Sequence, residues 1–196
     1  MTQDADRLAA LRFGILNGSA SLSDMLIHHF ETARLMVSDW TDSLQNPRRR
    51  PSIEKALSGM LTEPVLRNLP PTLHLGDCSI SNWMSERAAE SDVYLVCRTG
   101  QDTPIGLLLL AVLDEANDRR TAHIGYLFAQ DQWGRGYATE LIKGLVAAAQ
   151  SHIPITLRAG VDISNPSSAS VLRKAGFSTD SSQPDPQMEK FRLDLI

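Results

Sequence analysis

The sequence has few of the features that mark secreted, membrane-spanning or nucleic-acid-binding proteins. Its 196 residues include two cysteines, Cys78 and Cys97, which are too few for a disulfide framework and fit a reducing compartment. The longest apolar stretch, Ile105 to Leu113, is far shorter than the ~20 residues that a membrane-spanning helix needs. The formal net charge of −4 argues against a general nucleic-acid-binding surface.

Two further absences narrow the class of protein. The N-terminus lacks the basic start and long apolar core of a secretory signal peptide, so we expect a cytoplasmic location. The five histidines and two cysteines show no metal-ligand spacing, and we expect no metal site. What remains is an ordinary globular composition, 42% hydrophobic and 21% charged, in a chain long enough for one sizeable core.

The second half of the chain alternates between strand-like and helix-like segments. Three apolar runs separated by short polar turns predict an antiparallel meander, and the later segments predict an α/β fold. The predicted strands are Val93 to Cys97, Ile105 to Leu113, Ala122 to Phe128, Ile155 to Val161 and a final strand around Phe191 to Leu195, with helices over 141–149 and 167–175.

The first half of the chain is less regular. Residues 5–16 have helical spacing, and we expect residues 1–30 to form a helical extension. This extension would pack on the single domain of residues 31–196 or on a second subunit of a homodimer. Ser52 to Met60 predicts a helix with Ser52 as its N-cap, and Ile80 to Ala89 predicts another helix.

A glycine-rich segment, Gln-Trp-Gly-Arg-Gly-Tyr-Ala-Thr at residues 132–139, lies between a predicted strand and a predicted helix. A turn of this kind directs backbone N–H groups and the positive end of a helix dipole at one place, which suits phosphate. Gly134 and Gly136 remove the side chains that would keep a phosphate from the backbone. A Rossmann fingerprint would need a third glycine where Thr139 stands, and a P-loop would need Gly-Lys before Ser or Thr.

This loop resembles the acyl-CoA-binding loop of the GNAT superfamily of N-acetyltransferases. Trp133, Gly136 and Ala138 fill the frame of that pattern, with Trp133 in place of the usual Gln or Arg. Residues 165–177 resemble the family's C-terminal signature, which is an Asn, a helix and then Gly-Phe. Residues 124–127 and 32–37 resemble strands of the branch that acetylates the N-terminal alanine of ribosomal proteins.

The resemblance implies a fold, a cofactor and a set of contacts. The fold would be α/β, with a central mixed, mostly antiparallel twisted sheet of about six or seven strands flanked by helices. Acetyl-CoA would be the acetyl donor, with coenzyme A as product. Loop N–H groups would hold the pyrophosphate, while the main chain at 127–129 and the Asn165 amide would bind pantetheine. The implied cofactor-binding residues are Leu127, Phe128, Ala129, Trp133, Gly134, Arg135, Gly136, Tyr137, Ala138, Thr139 and Asn165.

Direct acetylation of an amine needs a base, because an amine with a pKa near ~10 is mostly protonated at neutral pH. Many relatives place Glu immediately before Ile-Gly-Tyr, and this chain has His123 there. Histidine titrates near neutrality and can act as the base, or it can be a strand residue with a structural hydrogen bond. Glu140, in the first turn of the predicted helix, fits the helix dipole better than it fits a base.

The proton donor for the departing thiolate also differs from the usual pattern. Many relatives have a Tyr seven positions after the motif Asn, where this chain has Leu172. Ser168, three positions after that Asn, can protonate the thiolate or can cap its helix. Tyr126 can contribute as well, although a strand aromatic usually belongs to the core.

The acceptor predicted from the resemblance is a primary amine, at the N-terminus of a protein or peptide. Two alternatives stay open. The first is a small-molecule amine such as an antibiotic or a polyamine. The second is a non-catalytic acyl-CoA-binding module, because His123 and Leu172 replace the usual catalytic residues. We expect neither a nucleic acid nor a membrane as a partner.

Overall fold

In the part of the chain that the structure describes, eight strands form one sheet and one central pair of them runs parallel. The computed structural model describes residues 28–115, 119–150, 154–182 and 184–195. Among these residues the strand order is β1-β2-β3-β4-β5-β6-β8-β7, and β5 with β6 is the parallel pair. The strands are β1 His29–Glu31, β2 Leu35–Asp39, β3 Asp92–Arg98, β4 Pro104–Glu115, β5 Arg119–Phe128, β6 Ile155–Asp162, β7 Ser178–Thr179 and β8 Met188–Leu195.

The predicted meander of β3, β4 and β5 is confirmed, since both of its strand pairs are antiparallel. The sheet has one strand more than the upper expectation of seven. Its two edge strands, β1 and β7, have three and two residues. Strands this short show no recognisable alternation in sequence. The predicted helical extension of residues 1–30 lies outside the described residues except for 28–30, and there β1 begins at His29.

Six α-helices accompany the sheet in the described part of the chain. The helix predicted from Ser52 begins two residues earlier, at Arg50, and Arg49 is the residue at its N-cap. Ser52 is therefore not the cap, and its hydroxyl instead donates to Arg49 O at 2.7 Å. Pro51 suits the first turn, where no backbone N–H is needed. The helices are α1 Thr41–Gln45, α2 Arg50–Met60, α3 Glu63–Leu66, α4 Ile80–Glu90, α5 Tyr137–Gln150 and α6 Pro166–Lys174.

Alternation along the central strands divides the core into two clusters, one on each face of the sheet. On one face, here called the α5–α6 face, even-numbered residues of β4 and β5 pack against the two C-terminal helices. On the other, the α2–α4 face, odd-numbered residues pack against α2 and α4. The first cluster includes Leu108, Leu110, Ile124, Phe128, Leu141, Leu145 and Leu172, and the second includes Leu107, Leu109, Leu127, Ile53, Leu57 and Trp83.

The parallel pairing of β5 with β6 is short, and this opens a gap in the sheet. It runs from Arg120, opposite Ile155, to His123, opposite Arg158. Beyond that point β5 stays paired with β4 as far as Phe128, while β6 stays paired with β8. The two strands therefore separate towards their carboxyl ends. The glycine loop follows β5 and α6 follows β6, so both lie at the edge where the gap opens.

Candidate functional site

The glycine loop has the backbone conformation that its sequence predicts. A short 3-10 turn, Gln130–Gln132, follows β5, and α5 begins at Tyr137. Gly134 and Gly136 have φ values of 73° and 81°, in the left-handed region that favours glycine. The Glu140 N–H donates to Gly136 O at 3.1 Å, which starts the hydrogen-bond ladder of the helix. The N–H groups that precede Glu140 in the first turn lack intrahelical acceptors, which makes this end of α5 suited to an anion.

Backbone conformation, more than crowding, explains the two glycines. A Cβ at Gly134 would meet nothing within 4 Å, and one at Gly136 would lie 3.6 Å from Arg34 Nη2, an ordinary contact distance. Left-handed φ at both positions is the constraint that a side chain would violate. The same glycines leave the backbone open to a ligand on that side.

Trp133 links the loop to the end of β5. Its indole Nε1–H donates to Phe128 O at 2.9 Å, while 44% of its surface stays exposed. Gln and Arg, which are usual at this position of the resembled motif, also carry N–H donors. The bond fixes the loop against the strand that lines the gap.

The direction of the main chain narrows the predicted pantetheine contacts. In an antiparallel pair, successive residues direct their backbone groups alternately towards and away from the partner strand. The Ala129 N–H donates to Ile105 O at 2.9 Å, so Ala129 and Leu127 direct their backbone groups at β4. Tyr126 and Phe128 direct theirs at the gap, although Phe128 O already accepts from Trp133. The backbone groups of Leu127 and Ala129 therefore face β4, and within the predicted segment 127–129 it is Phe128 that faces the gap. That this segment binds pantetheine stays a prediction.

Two predicted residues meet at the start of α6. Asn165 is the N-cap, and its Oδ1 accepts from the Ser168 N–H at 3.1 Å. The Ser168 hydroxyl is therefore not the cap. It lies 2.7 Å from the Tyr126 hydroxyl, which reaches it from β5 across the gap. Burial raises the pKa of Tyr126, and the hydrogen bond with Ser168 opposes that rise. A tyrosine with a raised pKa stays protonated at neutral pH and can donate a proton or a hydrogen bond.

His123 lies on the other side of the sheet. It is exposed, and it is the last residue of β5 that pairs with β6. Its odd number along a regular strand places it on the α2–α4 face with Leu127, whereas Tyr126 and Ser168 belong to the α5–α6 face. The structure thus does not bring His123 and Ser168 into contact. A ligand would have to pass through the gap to approach both His123 and Ser168.

Two pockets border this region, one on each face. The pocket beside the loop has a volume of about 660 Å³, and the second, on the α2–α4 face, has about 520 Å³. The first contains loop backbone, two lysines and two carboxylates: Glu31, Thr32, Gly136, Thr139, Glu140, Lys143, Gly144 and Lys174. The second is lined by Gly59, Thr62, Ala129, Gln130 and Asp131.

Possible metal ligands, helix hydropathy and the Cys97 thiol are three further features of the part of the chain that the structure describes. In those ranges, no group of three or more His, Cys, Asp or Glu side chains could hold a metal ion. Over the same residues, no helix is both long and apolar enough to cross a membrane. Burial raises the pKa of the Cys97 thiol to about 11; Arg49 opposes the rise and Asp102 adds to it. Such a thiol is a poor nucleophile, as expected for a residue within a strand.

Leu172 stands where many relatives have a tyrosine donor, and it brings no hydroxyl group to the site. Its side chain is fully buried in the cluster on the α5–α6 face. The hydroxyl groups near the gap come instead from Tyr126 and Ser168, which are 42 residues apart in sequence. The motif alone points to Ser168, whereas for Tyr126 the sequence leaves open both a contribution to catalysis and a place in the core. The one signal for Tyr126 was its position in the strand that leads into the glycine loop.

Comparison with known proteins supports the same fold. A sequence profile described as an acetyltransferase (GNAT) domain matches residues 36–178. No curated protein matches this chain. Many solved structures do match this chain, and three acetyltransferases among them match it at low sequence identity.

An acetyltransferase of the GNAT family from Bacillus anthracis is 14% identical, with 84% of this chain and 95% of that chain covered and a TM-score of 0.61. RimL, a ribosomal alpha-N-protein acetyltransferase solved in complex with coenzyme A, is 13% identical, with 85% and 98% covered and a TM-score of 0.65. An aminoglycoside N(6')-acetyltransferase from Legionella pneumophila is 15% identical, with 83% and 92% covered and a TM-score of 0.58. At such identities the likeness establishes the fold alone, and it confirms the predicted α/β class.

Proposed function

The chain belongs to the GNAT acetyltransferase family, and from that membership we propose that it transfers the acetyl group of acetyl-CoA to a primary amine. The observation that carries the proposal is that the glycine loop and the start of α6 lie at the same edge of the sheet, where the gap opens. A long, thin ligand with a diphosphate at one end and a thioester at the other matches that arrangement. We further propose that the amine is the N-terminus of a protein or peptide.

The loop and the gap divide the work of binding acetyl-CoA. Backbone N–H groups from Gly134 to Thr139 would hold the diphosphate at the positive end of α5. The backbone of Tyr126 and the Phe128 N–H would pair with pantetheine along the free side of β5. Asn165 Oδ1 caps α6, which leaves its amide NH₂ as the group that would donate to pantetheine. Acetyl-CoA supplies an activated thioester, so the protein needs only to orient it and to move protons.

His123 is our candidate for the base. Its exposure on the α2–α4 face suits a group that takes a proton from an incoming ammonium, directly or through water. The second pocket lies on that face, with the Asp131 carboxylate at its wall. A carboxylate there would favour a cationic acceptor.

The hydroxyl groups of Tyr126 and Ser168 would supply the proton that the departing thiolate takes up. Ser168 could donate its proton to the sulfur while Tyr126, 2.7 Å away, passes its own proton to Ser168. The raised pKa of Tyr126 keeps that proton in place until it is needed. The pair would then recover a proton from solvent.

The proposal for a protein or peptide N-terminus rests on a resemblance to the branch that acetylates protein N-termini. The resemblance is carried by the Asn-Pro-Ser-Ser segment at 165–168, because that branch often has Asn-Pro-x-Ser there, and by the strand segments at 32–37 and 124–127. The similar folds include both a ribosomal alpha-N-protein acetyltransferase and an aminoglycoside acetyltransferase, so fold likeness supports either acceptor class. The two cysteines favour a reducing compartment such as the cytoplasm for this reaction.

The first experiment is calorimetric titration of the purified protein with acetyl-CoA, with NADH and ATP as controls. Selective binding would support the proposal, and no binding would overturn it. Release of free thiol would then be measured with peptides that have a free N-terminus, with the same peptides N-acetylated, and with aminoglycosides and polyamines. Tight acetyl-CoA binding without thiol release from any amine would favour a non-catalytic module.

We expect His123→Ala to lower kcat with the Kd for acetyl-CoA unchanged, because His123 lies on the face away from the loop. His74→Ala, which removes another exposed histidine outside the gap, is the matched control. Unchanged turnover in the His123 variant across the pH range would remove it as the base.

A further inference from the structure

The carboxylate of Glu140, in the first turn of α5, is bound by the turn that joins β1 to β2. Thr32 Oγ1 donates to Glu140 Oε1 at 2.6 Å, and the Arg34 backbone N–H donates to the same oxygen at 2.8 Å. The turn itself is closed by Thr32, whose N–H donates to Leu35 O at 2.8 Å and whose hydroxyl accepts from the Leu35 N–H at 3.0 Å. A rigid turn about a hundred residues upstream therefore holds the start of the helix.

The side chain of Arg34 extends this contact over the whole loop. Its Nε and Nη2 lie 2.7 and 2.6 Å from Glu140 Oε2. Its Nη1 donates to Arg135 O at 3.1 Å, and its guanidinium carbon lies 4.6 Å from the centre of the Tyr137 ring. The Cβ position of Gly136 is 3.6 Å from Nη2. One guanidinium thus contacts Glu140 and two residues, Arg135 and Tyr137, of the segment that would hold the diphosphate.

These contacts restrict the conformational freedom of the loop. Two glycines with positive φ give the segment many alternative backbone conformations, and ordering it on binding would cost free energy. A loop that is already held in place binds its ligand more tightly, because that ordering is done beforehand.

The charges of Arg34 and Glu140 also favour a role for this pair in ordering the loop. Burial would raise the pKa of Glu140, but hydrogen bonds from Thr32 and Arg34 and the Arg34 charge outweigh burial and lower it. Glu140 therefore stays ionised at neutral pH and balances the Arg34 charge. An arginine whose charge is balanced in this way acts on the site more by holding its hydrogen-bond partners in place than by attracting phosphate. The planar fork is needed, since it meets two acceptors at once.

We propose that Arg34, through Glu140 and the Arg135 carbonyl, is a positioning residue that holds the glycine loop in its ligand-binding conformation. The inference deepens the proposed function and rests on it, because the loop must bind a diphosphate. It adds Arg34, from the turn between β1 and β2, to the residues that shape the cofactor site. The loop motif alone does not identify this residue.

The test compares three variants with the wild-type protein. Arg34→Ala removes the fork. Arg34→Lys keeps the charge but cannot reach both acceptors in the same way, and Glu140→Gln keeps the shape but removes the charge that orients Arg34. The matched control is Arg173→Ala, which removes another Arg–Glu pair, with Glu189, and a cation–π contact with Phe191, away from the loop. Glu140→Gln carries the test if Arg34→Ala does not fold.

We expect the Kd for acetyl-CoA, measured by calorimetry, to rise about tenfold in Arg34→Ala and by less in the other two variants, a factor that corresponds to about 1.4 kcal/mol. The KM for acetyl-CoA should rise in parallel, while kcat at saturating acetyl-CoA and the KM for the amine stay within about twofold of wild type. General loss of stability would not produce that split between parameters.

Unchanged acetyl-CoA affinity in Arg34→Ala and Glu140→Gln would overturn the inference and leave the proposed function intact. An equal loss of affinity in Arg173→Ala would also overturn it, since the effect would then not be specific to the loop. Failure of the wild-type protein to bind acetyl-CoA would overturn the proposed function itself, which separates the two failures.

Discussion

At the scale of single residues, the hydroxyl pair of Tyr126 and Ser168 is the part of the site that the structure adds. The motif identified Ser168 and left two roles open for it. The structure assigns the capping role to Asn165 and directs the Ser168 hydroxyl at Tyr126. No sequence rule could find that contact, because its partners are 42 residues apart and come from two elements that meet only across the gap. Because the cap of α6 does not use the Ser168 hydroxyl, the contact of this hydroxyl with Tyr126 is compatible with the proposed role as proton donor.

We predict that Ser168→Ala lowers kcat by about tenfold to a hundredfold, at or below the lower end of what a general acid contributes. The Kd for acetyl-CoA should stay within about twofold, because the capping bond of Asn165 uses the backbone N–H of residue 168 and not the hydroxyl. Steady-state thiol release and calorimetry measure the two quantities. Ser167→Ala, an exposed neighbour in the same helix turn, is the control and should behave as wild type. A Ser168 variant with wild-type kcat would remove Ser168 as the proton donor.

At the scale of elements, the glycine loop and its helix were the most predictable part. The position of the loop between β5 and α5 follows from spacing and from the chemistry of helix N-termini. The positive φ that explains Gly134 and Gly136 is seen only in the structure. The direction of the β5 main chain was not predictable in the same way. It depends on which residues pair with β4, and a register that differed by one residue would reverse it. For that reason the sequence alone did not show which of residues 127–129 face β4 and which face the gap.

We predict that Gly136→Val abolishes detectable acetyl-CoA binding, because a β-branched residue is strained at a φ of 81° and its side chain would stand in the loop. Calorimetry measures the binding. Gly100→Val is the matched control: Gly100 has a φ of 76°, a Cβ there meets nothing within 4 Å, and it lies in the turn between β3 and β4. The control should lose stability to a similar degree, about 1–2 kcal/mol, while it still binds acetyl-CoA. Normal binding by the Gly136 variant would undo the assignment of the loop.

Gly144, in the middle of α5, lets that helix approach the first strand pair. A Cβ there would lie 2.6 Å from Thr32 Cγ2 and 2.9 Å from the Phe30 ring. Alanine has the better helix propensity by about 1 kcal/mol, but overpacking costs about 1–3 kcal/mol, and these distances are far below contact. We therefore predict that Gly144→Ala lowers the free energy of unfolding in urea.

Gly59, in α2, is the control for this prediction, because a Cβ there meets nothing within 4 Å. Gly59→Ala should raise the free energy of unfolding by about 0.5–1 kcal/mol. A stabilised Gly144→Ala would mean that α5 and β1 are not packed as described.

At the scale of the whole molecule, the order of the elements followed from the sequence, and the way they assemble did not. Alternation and helical spacing placed β3 to β6, α5 and α6 close to their observed bounds. The edge strands β1 and β7 are too short to show a pattern. The separation of β5 from β6 after His123 arises from which neighbours each strand keeps, and local spacing carries no information on that choice. The gap, on which the proposed chemistry depends, is thus a property of the sheet as a whole.

The bond between the first strand pair and α5 makes part of the stability of the molecule depend on pH. The pKa of Glu140 is lowered in the folded protein, so its contribution is complete above the unfolded pKa of about 4.3 and is lost as pH falls through the lower, folded value. Arg34 is half exposed, so solvent screening limits this contribution to about 0.5–1 kcal/mol.

We predict that wild type exceeds Glu140→Gln in free energy of unfolding at pH 7, and that the difference shrinks as the pH falls below about 4. Urea denaturation of both proteins over this pH range measures the difference. Asp162 and Asp180 also have lowered pKa values, but both proteins contain them and their effects cancel in the comparison. A difference that stays constant down to pH 3 would show that the charge of Glu140 does not hold the turn to the helix. The contact would then stabilise the fold through packing alone.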